Sequence, residues 1–544
     1  MRTFYVRKES NTFSDAIECF GLVSILEGIF NQFEILRKPE ILIEDKGFYY
    51  QISCEKDITD EMINKCQYFD FLRFIKNKKD RDRSFTFDSI DYEHEKEIRD
   101  NYYALPDQER QTTENPVHPD YDIIRLFANM EGYRKSFINQ RAFIDNFEGL
   151  LECIVKLYSK IECSQSEIEQ ELKEYIRNKK LTIEKINALQ DINPDKGKGV
   201  NQGKASGIRP EGVSDFWLRQ LIRFSGAWSS FISRYFDKDY KTYSIVPHSI
   251  SNEYIRSVYR GIKPYIRGKE SIKIDILMIH LITIELIKRH HDYERYEDFF
   301  SPADKISGFQ MAYYQNLGQR PAVTNIGFLG LPDFIRVESI ESGNVWIGLF
   351  NEHQKIISGI DENNSSNIRM LQAYRQFLSA SDFMAFFDFC FDYADFLIRS
   401  IDAKKYFINP LTITNMEVLM CTKSNFSAIL SNPGFRAVAE AIRNSTIVPI
   451  IHDNKKDIVF GLSNRLKIAS RNPESLMEEI SLFAQHYNEE IMLKDYHQQL
   501  HKSYLKTEDL ESFCALLDEG HSSKLIAGML IAYGYAKEPA IEKK

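Results

Sequence analysis

No regular element can run through Asn193–Gly212, and this stretch is the strongest constraint on how the chain folds. It reads Asn-Pro-Asp-Lys-Gly-Lys-Gly-Val-Asn-Gln-Gly-Lys-Ala-Ser-Gly-Ile-Arg-Pro-Glu-Gly. Glycine frees φ and proline removes a backbone donor, so neither a helix nor a ladder survives this density of both. The stretch is expected to be a loop. Its basic residues and exposed backbone amides make it the first place to look for a bound phosphate.

On either side, hydrophobic spacing sets the elements. Thr3–Arg7 is strand-like. Phe13–Phe30 carries Ala16, Cys19, Phe20, Val23, Leu26 and Phe30 at helical spacing, with Ser14 expected as N-cap. Glu40–Cys54 alternates like a strand pair around a turn at Asp45–Gly47. From Asp122 to Arg177 the pattern is helical, and Glu167–Lys180 reads as a solvated amphipathic helix. Phe216–Phe231 predicts an aromatic-rich helix, Lys241–Pro247 a strand, and Ser271–Lys288 an apolar helix. Tyr313–Phe350 predicts strands and turns, and Ile368–Ser400 a phenylalanine-dense helix. From Leu411 onward the chain reads as helical, broken at Asn432–Gly434, Thr446–Asp457, Arg471–Pro473 and Glu519–Gly520.

The fold class is therefore α+β: a mixed N-terminal portion, a mostly helical middle and a C-terminal α-helical bundle. One hydrophobic core rarely grows past about 250–300 residues, so 544 residues imply more than one domain. The expected division is a body over residues 1–410 and a bundle over 411–544. The eight cysteines form no C-x-x-C pair, so reduced thiols are expected rather than disulfides or zinc. No apolar run suits a signal peptide or a membrane span, so the protein is expected to be cytoplasmic, with no membrane partner.

A net charge of −9 excludes a uniformly basic coat but not local basic tracks. Three tracks stand out. In the Gly/Lys loop, Lys196, Lys198, Lys204 and Arg209 alternate with glycines, and Asn201 and Gln202 could pair with base edges. From Lys196 to Arg234 there are seven basic residues against two acids. The spacing is not that of a nucleotide-binding P-loop. The second track has Arg256, Arg260, Lys263, Arg267 and Lys269 without an acid among them, interleaved with Tyr254, Tyr259 and Tyr265. Such interleaving suits a nucleic-acid backbone with stacked bases. The third lies in the bundle: Lys423, Arg436, Arg443, Lys455, Lys456, Arg465, Lys467 and Arg471 against three acids. Arg436 and Arg443, seven apart, share a helix face. In each case the competing reading is a solvated surface.

Catalytic signals are weak. His290-His291-Asp292 contains a His-Asp pair of the kind that ligates metal in phosphohydrolases. That chemistry needs further converging ligands, and the sequence offers no second cluster. His118-Pro-Asp120 stands alone. No cofactor and no resident metal are expected.

The blocks Phe435-Arg-Ala-Val-Ala-Glu-Ala-Ile-Arg-Asn-Ser-Thr446, Phe460-Gly-Leu-Ser-Asn-Arg-Leu-Lys467, Phe483-Ala-Gln-His-Tyr-Asn-Glu-Glu490, Thr507-Glu-Asp-Leu510 and Leu530–Ala536 follow in that order. Together with Lys196–Lys204 followed by Trp217-Leu218, they resemble the large subunit of CRISPR type I surveillance complexes, in the I-A/I-B branch. The resemblance implies a non-catalytic subunit contacting the guide RNA 5′ handle and target double-stranded DNA. It implies recognition of the short duplex motif beside the target (the PAM) and help in opening the duplex. Backbone and small subunits would be its neighbours, with a helicase-nuclease or transposition proteins recruited downstream. The bundle would resemble the separate small subunit, and Met416 or Met420 could serve as an internal start for such a product. The alternatives are a protein-only interaction scaffold and a metal-dependent nuclease using His290, His291 and Asp292.

Overall fold

The computed structural model describes the chain except residues 34–37, 81–82, 188, 197–215, 237, 267, 269, 295–298, 318–320, 403–408, 452–457, 497–503 and 540–544. The fold is α+β; among the described residues, strands are confined to the first 330 positions and helices occur throughout. It divides into two compact units. One comprises Met1–Lys269, Asp292–Glu294 and Pro302–Gly330; the other comprises Glu270–His291, Arg295–Ser301 and Leu331–Lys544.

Ten strands are described: β1 (Thr3–Arg7), β2 (Ile41–Asp45), β3 (Tyr49–Cys54), β4 (Phe74–Lys76), β5 (Ser89–Asp91), β6 (Phe231–Phe236), β7 (Asp239–Pro247), β8 (Ser249–Ser251), β9 (Ile306–Gln315) and β10 (Ala322–Gly330). In the first unit they build two four-stranded antiparallel sheets, ordered β1-β3-β2-β8 and β10-β9-β7-β6. β4 and β5 form a short parallel pair. The helix Phe13–Phe30 is buried on nearly all sides, as its even apolar character requires. Its N-cap is Thr12, not Ser14. Thr12 has the extended backbone a cap needs, and its side chain accepts from the Ser14 amide. The Ser14 hydroxyl instead donates to the Ile192 carbonyl at 2.8 Å.

That helix packs against Trp217–Ser230 at unusually close range. A Cβ added at Gly226 would lie 1.7 Å from the Ile17 carbonyl oxygen. One added at Gly21 would lie 1.9 Å from the Ile222 oxygen. Two glycines on facing helices let the backbones touch.

The second unit is helical. Its division from the first falls well before the expected boundary at residues 410 and 411. The helix Phe383–Asp402 explains why. Phe383, Phe386, Phe387, Phe389 and Phe391 are all buried on it, more aromatic surface than one neighbour can cover. It packs against both Ser365–Ala380 and Ser523–Gly534, so the phenylalanine helix belongs with the bundle. The region Tyr313–Phe350 also differs from expectation. β9 and β10 are strands, but Ile340–Ser358 is a helix closed by a Ser339/Ser342 capping box. Trp346, Leu349, Phe350, His353, Ile356 and Ile357 are buried on one side of it, so packing overrides the glycines and β-branched residues that suggested strand.

Within this unit, Tyr374 Oη lies 2.9 Å from His280 Nε2 and 2.8 Å from His353 Nδ1. One hydroxyl can donate to only one ring, so the other ring donates to it. Burial pushes both imidazoles down to about 3, from an ordinary value of 6.5. Between those values the unfolded chain binds protons that the folded chain refuses. Stability from these rings is complete above pH 6.5 and falls as the pH drops, by up to about 1.4 kcal/mol per pH unit for each ring. Urea unfolding at stepped pH should show this slope, and His353→Gln should remove about half of it. An unchanged slope in that variant would exclude the pair as its source.

Candidate nucleic-acid interface

The first basic track resolves into two kinds of residue. Lys196 ends a short turn, Pro194–Lys196, and pairs with Asp195 at 3.2 Å. Lys198, Asn201, Gln202, Lys204 and Arg209 lie outside the described residues. Three further cations counted in that track are committed internally. Arg219 and Arg223 are 7% and 4% exposed. Both grip the buried Glu18: Arg219 Nε and Nη2 at 2.8 and 3.0 Å, and Arg223 Nε at 2.8 Å. Tyr158 donates to the same carboxylate at 2.8 Å. Although burial opposes ionisation, the two guanidiniums prevail and hold the Glu18 carboxyl down to about 2. Arg223 also donates to Asn193, which exchanges amide hydrogen bonds with Gln220. Asn193 and Gln220 bracket residues 197–215 in sequence, so this network fixes the chain on both sides of the Gly/Lys stretch. The third cation, Arg234, pairs with Asp122 at 2.7 Å.

Part of the bundle track is likewise spent on protein, although Lys423 and Arg471 are exposed and make no ion pair among the described residues. Arg443 does not share an open face with Arg436, as the spacing suggested. It is buried, donating to the Ala536 and Tyr533 carbonyls at 2.9 and 3.1 Å and pairing with Glu538. The seven-residue spacing puts both on one side of the helix Pro433–Ser445, but the far end of that side is covered by the chain after Gly534. Arg436 is half exposed, donates to the Leu430 carbonyl and lies 3.6 Å from Glu417. Arg465 pairs with Glu479 at 2.7 Å and Lys467 with Asp392 at 2.5 Å. Lys455 and Lys456 lie outside the described residues.

In the second track, cationic charge gathers around one helix. The helix Asn252–Ile262 begins at Ser251, whose hydroxyl caps the Tyr254 amide, and buries Tyr254, Ile255, Val258, Tyr259 and Ile262. That leaves Arg256, Arg260 and the following Lys263 along its outer side. Arg256 pairs with Glu27, and Lys263 pairs with Asp120 while lying 4.0 Å over the Tyr259 ring. Arg260 is exposed and makes no ion pair among the described residues. Nor does Arg73, whose guanidinium lies 5.1 Å over the Trp228 ring. Burial, reinforced by Arg73 and Arg260, holds the Lys263 ammonium below the ordinary lysine value despite Asp120. Arg73 and Arg260 thus both bear on Lys263, a positive field that an anion relieves. Arg267 and Lys269 lie outside the described residues.

Arg73 and Trp228 escaped the sequence reading because they sit far in sequence from the helix they join. The one local signal was a cation just before the β4 strand. Among the candidate catalytic residues, His290 is 2% exposed, its ring stacked 3.9 Å from that of Phe300. Among the described residues, no group of three or more His, Cys, Asp or Glu converges as metal ligands would. No helix among the described residues is long and apolar enough to cross a membrane. No protein-family model matches the chain, and no curated protein matches it in sequence.

Proposed function

We propose that this chain is the large, non-catalytic subunit of an RNA-guided type I CRISPR effector complex. In this reading it binds target DNA beside the guide RNA 5′ handle, reads the PAM, and supports strand opening and recruitment of the downstream effector. The ordered blocks from Phe435 to Ala536, with Lys196–Lys204 and Trp217, support the family. The structural observation that carries nucleic-acid binding is the pair of unmatched guanidiniums, Arg73 and Arg260, beside Trp228 and Lys263. Guanidiniums without internal carboxylates take phosphate with little competing cost. In such complexes base pairing carries the sequence and protein reads backbone and a short motif.

The test is salt-dependent binding of a target duplex by the full chain. Affinity is expected to fall steeply between about 50 and 200 mM salt. Arg73→Ala and Arg260→Ala should each reduce the slope of log affinity against log salt by about 1. No binding at low salt, or binding indifferent to salt, would return the chain to a protein-only scaffold.

A further inference from the structure

β10 is the outer strand of its sheet, with β9 on one side and, among the described residues, no strand on the other. The remaining edges of the two four-stranded sheets are closed or short. The Tyr5 amide of β1 donates to the Tyr158 carbonyl at 2.9 Å. β8 is only three residues long. On β6 the Tyr259 hydroxyl donates to the Phe231 carbonyl at 2.6 Å, and Arg234 pairs with Asp122 of the helix Tyr121–Ala128. β10 runs for nine residues, Ala322–Gly330. Edge strands are ordinarily protected by charge, proline, a bulge or a covering element. No charged residue lies between Pro321 and Pro332. The bulge of this strand falls between Val323 and Asn325 and leaves Asn325–Gly330 in regular register.

The strand is exposed without being loose. At its start, the Gln190 side chain donates to the Pro321 carbonyl. At its end, Gly308 brings the β9 backbone so close that an added Cβ would lie 2.0 Å from the Leu329 carbonyl oxygen. Between these anchors Thr324, Asn325, Ile326 and Phe328 are exposed. Ile326 and Phe328, two apart, lie on the same face and are 43% and 52% exposed. An edge already held in place loses little further freedom when another strand joins it.

The sequence of β10 fits a second copy of itself. Two identical strands that meet antiparallel about a two-fold axis present the same patch to each other, so the patch must be self-complementary. With the axis at Gly327, Ile326 of each copy stands opposite Phe328 of the other. That makes a β-branched–aromatic pair twice on one face, a favourable cross-strand combination. The uncharged run from Pro321 to Pro332 brings no like charges together in this arrangement. We infer that β10 is a dimerisation edge, pairing antiparallel with β10 of a second copy about a two-fold at Gly327. The two four-stranded sheets then join into one of eight strands. Each copy contributes one long open edge among its described strands, so the pairing closes at two. The inference does not depend on the nucleic-acid reading.

The experiment is sedimentation velocity of the full chain over about 1–100 µM, the range suited to a small interface of the transient class. The mean mass should rise from one chain toward two and stop there. Ile326→Lys/Phe328→Lys gathers the new lysines of both copies across the pairing, and should raise the midpoint concentration by about tenfold or more. Ile326→Lys/Phe328→Glu sets each new lysine opposite the other copy's new glutamate, and should keep the dimer. Both positions are exposed, so melts of the dilute variants should match wild type. A chain that stays monomeric throughout overturns the proposal, whichever other strand the edge then accepts. Assemblies larger than two overturn it as well, as does a dimer that the double-lysine variant leaves intact. If both variants dissociate alike, the two-fold at Gly327 is overturned.

Discussion

Glu18→Ala should lower the unfolding free energy of the protein by about 3–5 kcal/mol, the cost of leaving buried charge without its partner. The magnitude follows from what the carboxylate serves. Two guanidiniums, Arg219 and Arg223, and the Tyr158 hydroxyl all point at it. Arg219 keeps Glu9 at 2.6 Å, so it is partly rescued. Arg223 retains Asn193, a neutral amide. Glu18→Gln preserves the volume and some hydrogen bonds, and should cost less than alanine. The pH dependence has a definite sign. The folded carboxyl is held near 2, below its ordinary 4.5. Its contribution is present above 4.5 and is lost as the pH falls from there through 2. Urea unfolding of the variants against wild type checks both statements. A cost under about 1 kcal/mol for alanine would mean that water or another group reaches the arginines.

Gly226→Ala should be the most damaging small-to-large change in the first unit, at about 3 kcal/mol or more, the upper end of what overpacking costs. The added methyl meets a backbone oxygen rather than a mobile side-chain tip, at 1.7 Å from Ile17. Relief requires the two helices to move apart, which also opens the Gly21 contact with Ile222. The double variant Gly21→Ala/Gly226→Ala should therefore cost less than the sum of the two single changes, because one separation accommodates both methyls. Gly348→Ala is the contrasting case, with nothing within 4 Å of its added Cβ and ordinary helical φ. It should stabilise by up to about 1 kcal/mol. Thermal melts of the four variants read this ordering directly.

How much of this was legible in the sequence depended on whether a residue's partner was near it in the chain. The helix Phe13–Phe30, the strand pair around Gly47, and the breaks near Asn432 and Glu519 follow from local periodicity and turn chemistry, whereas the expected break Thr446–Asp457 contains a short helix, Ile447–Ile451. The unit boundary did not, because the phenylalanines of 383–402 announce burial without naming the surface that covers them. The basic tracks show the same limit more sharply. Counting charge treats Arg219, Arg223, Arg260 and Arg443 as equals. Arg219 and Arg223 serve a glutamate about 200 positions earlier, and Arg443 serves carbonyls about 90 positions later. Arg260 alone among these four makes no ion pair among the described residues. A cleft of about 1360 Å³ in the first unit was hidden for the same reason, since its lining comes from residues 99–123, 231–235 and 263–268.

The packing of Ser523–Gly534 bears on how the bundle could be made as a separate protein. Every residue of that helix from Leu525 to Gly534 is buried, and Gly528 lies directly against Phe387 of the phenylalanine helix. Translation beginning at Met416 or Met420 would omit the phenylalanine helix while retaining the surface it covers. A short product of this kind would be an orphan subunit, obliged to find a replacement for residues 383–402 on another protein at the moment it is released from the ribosome.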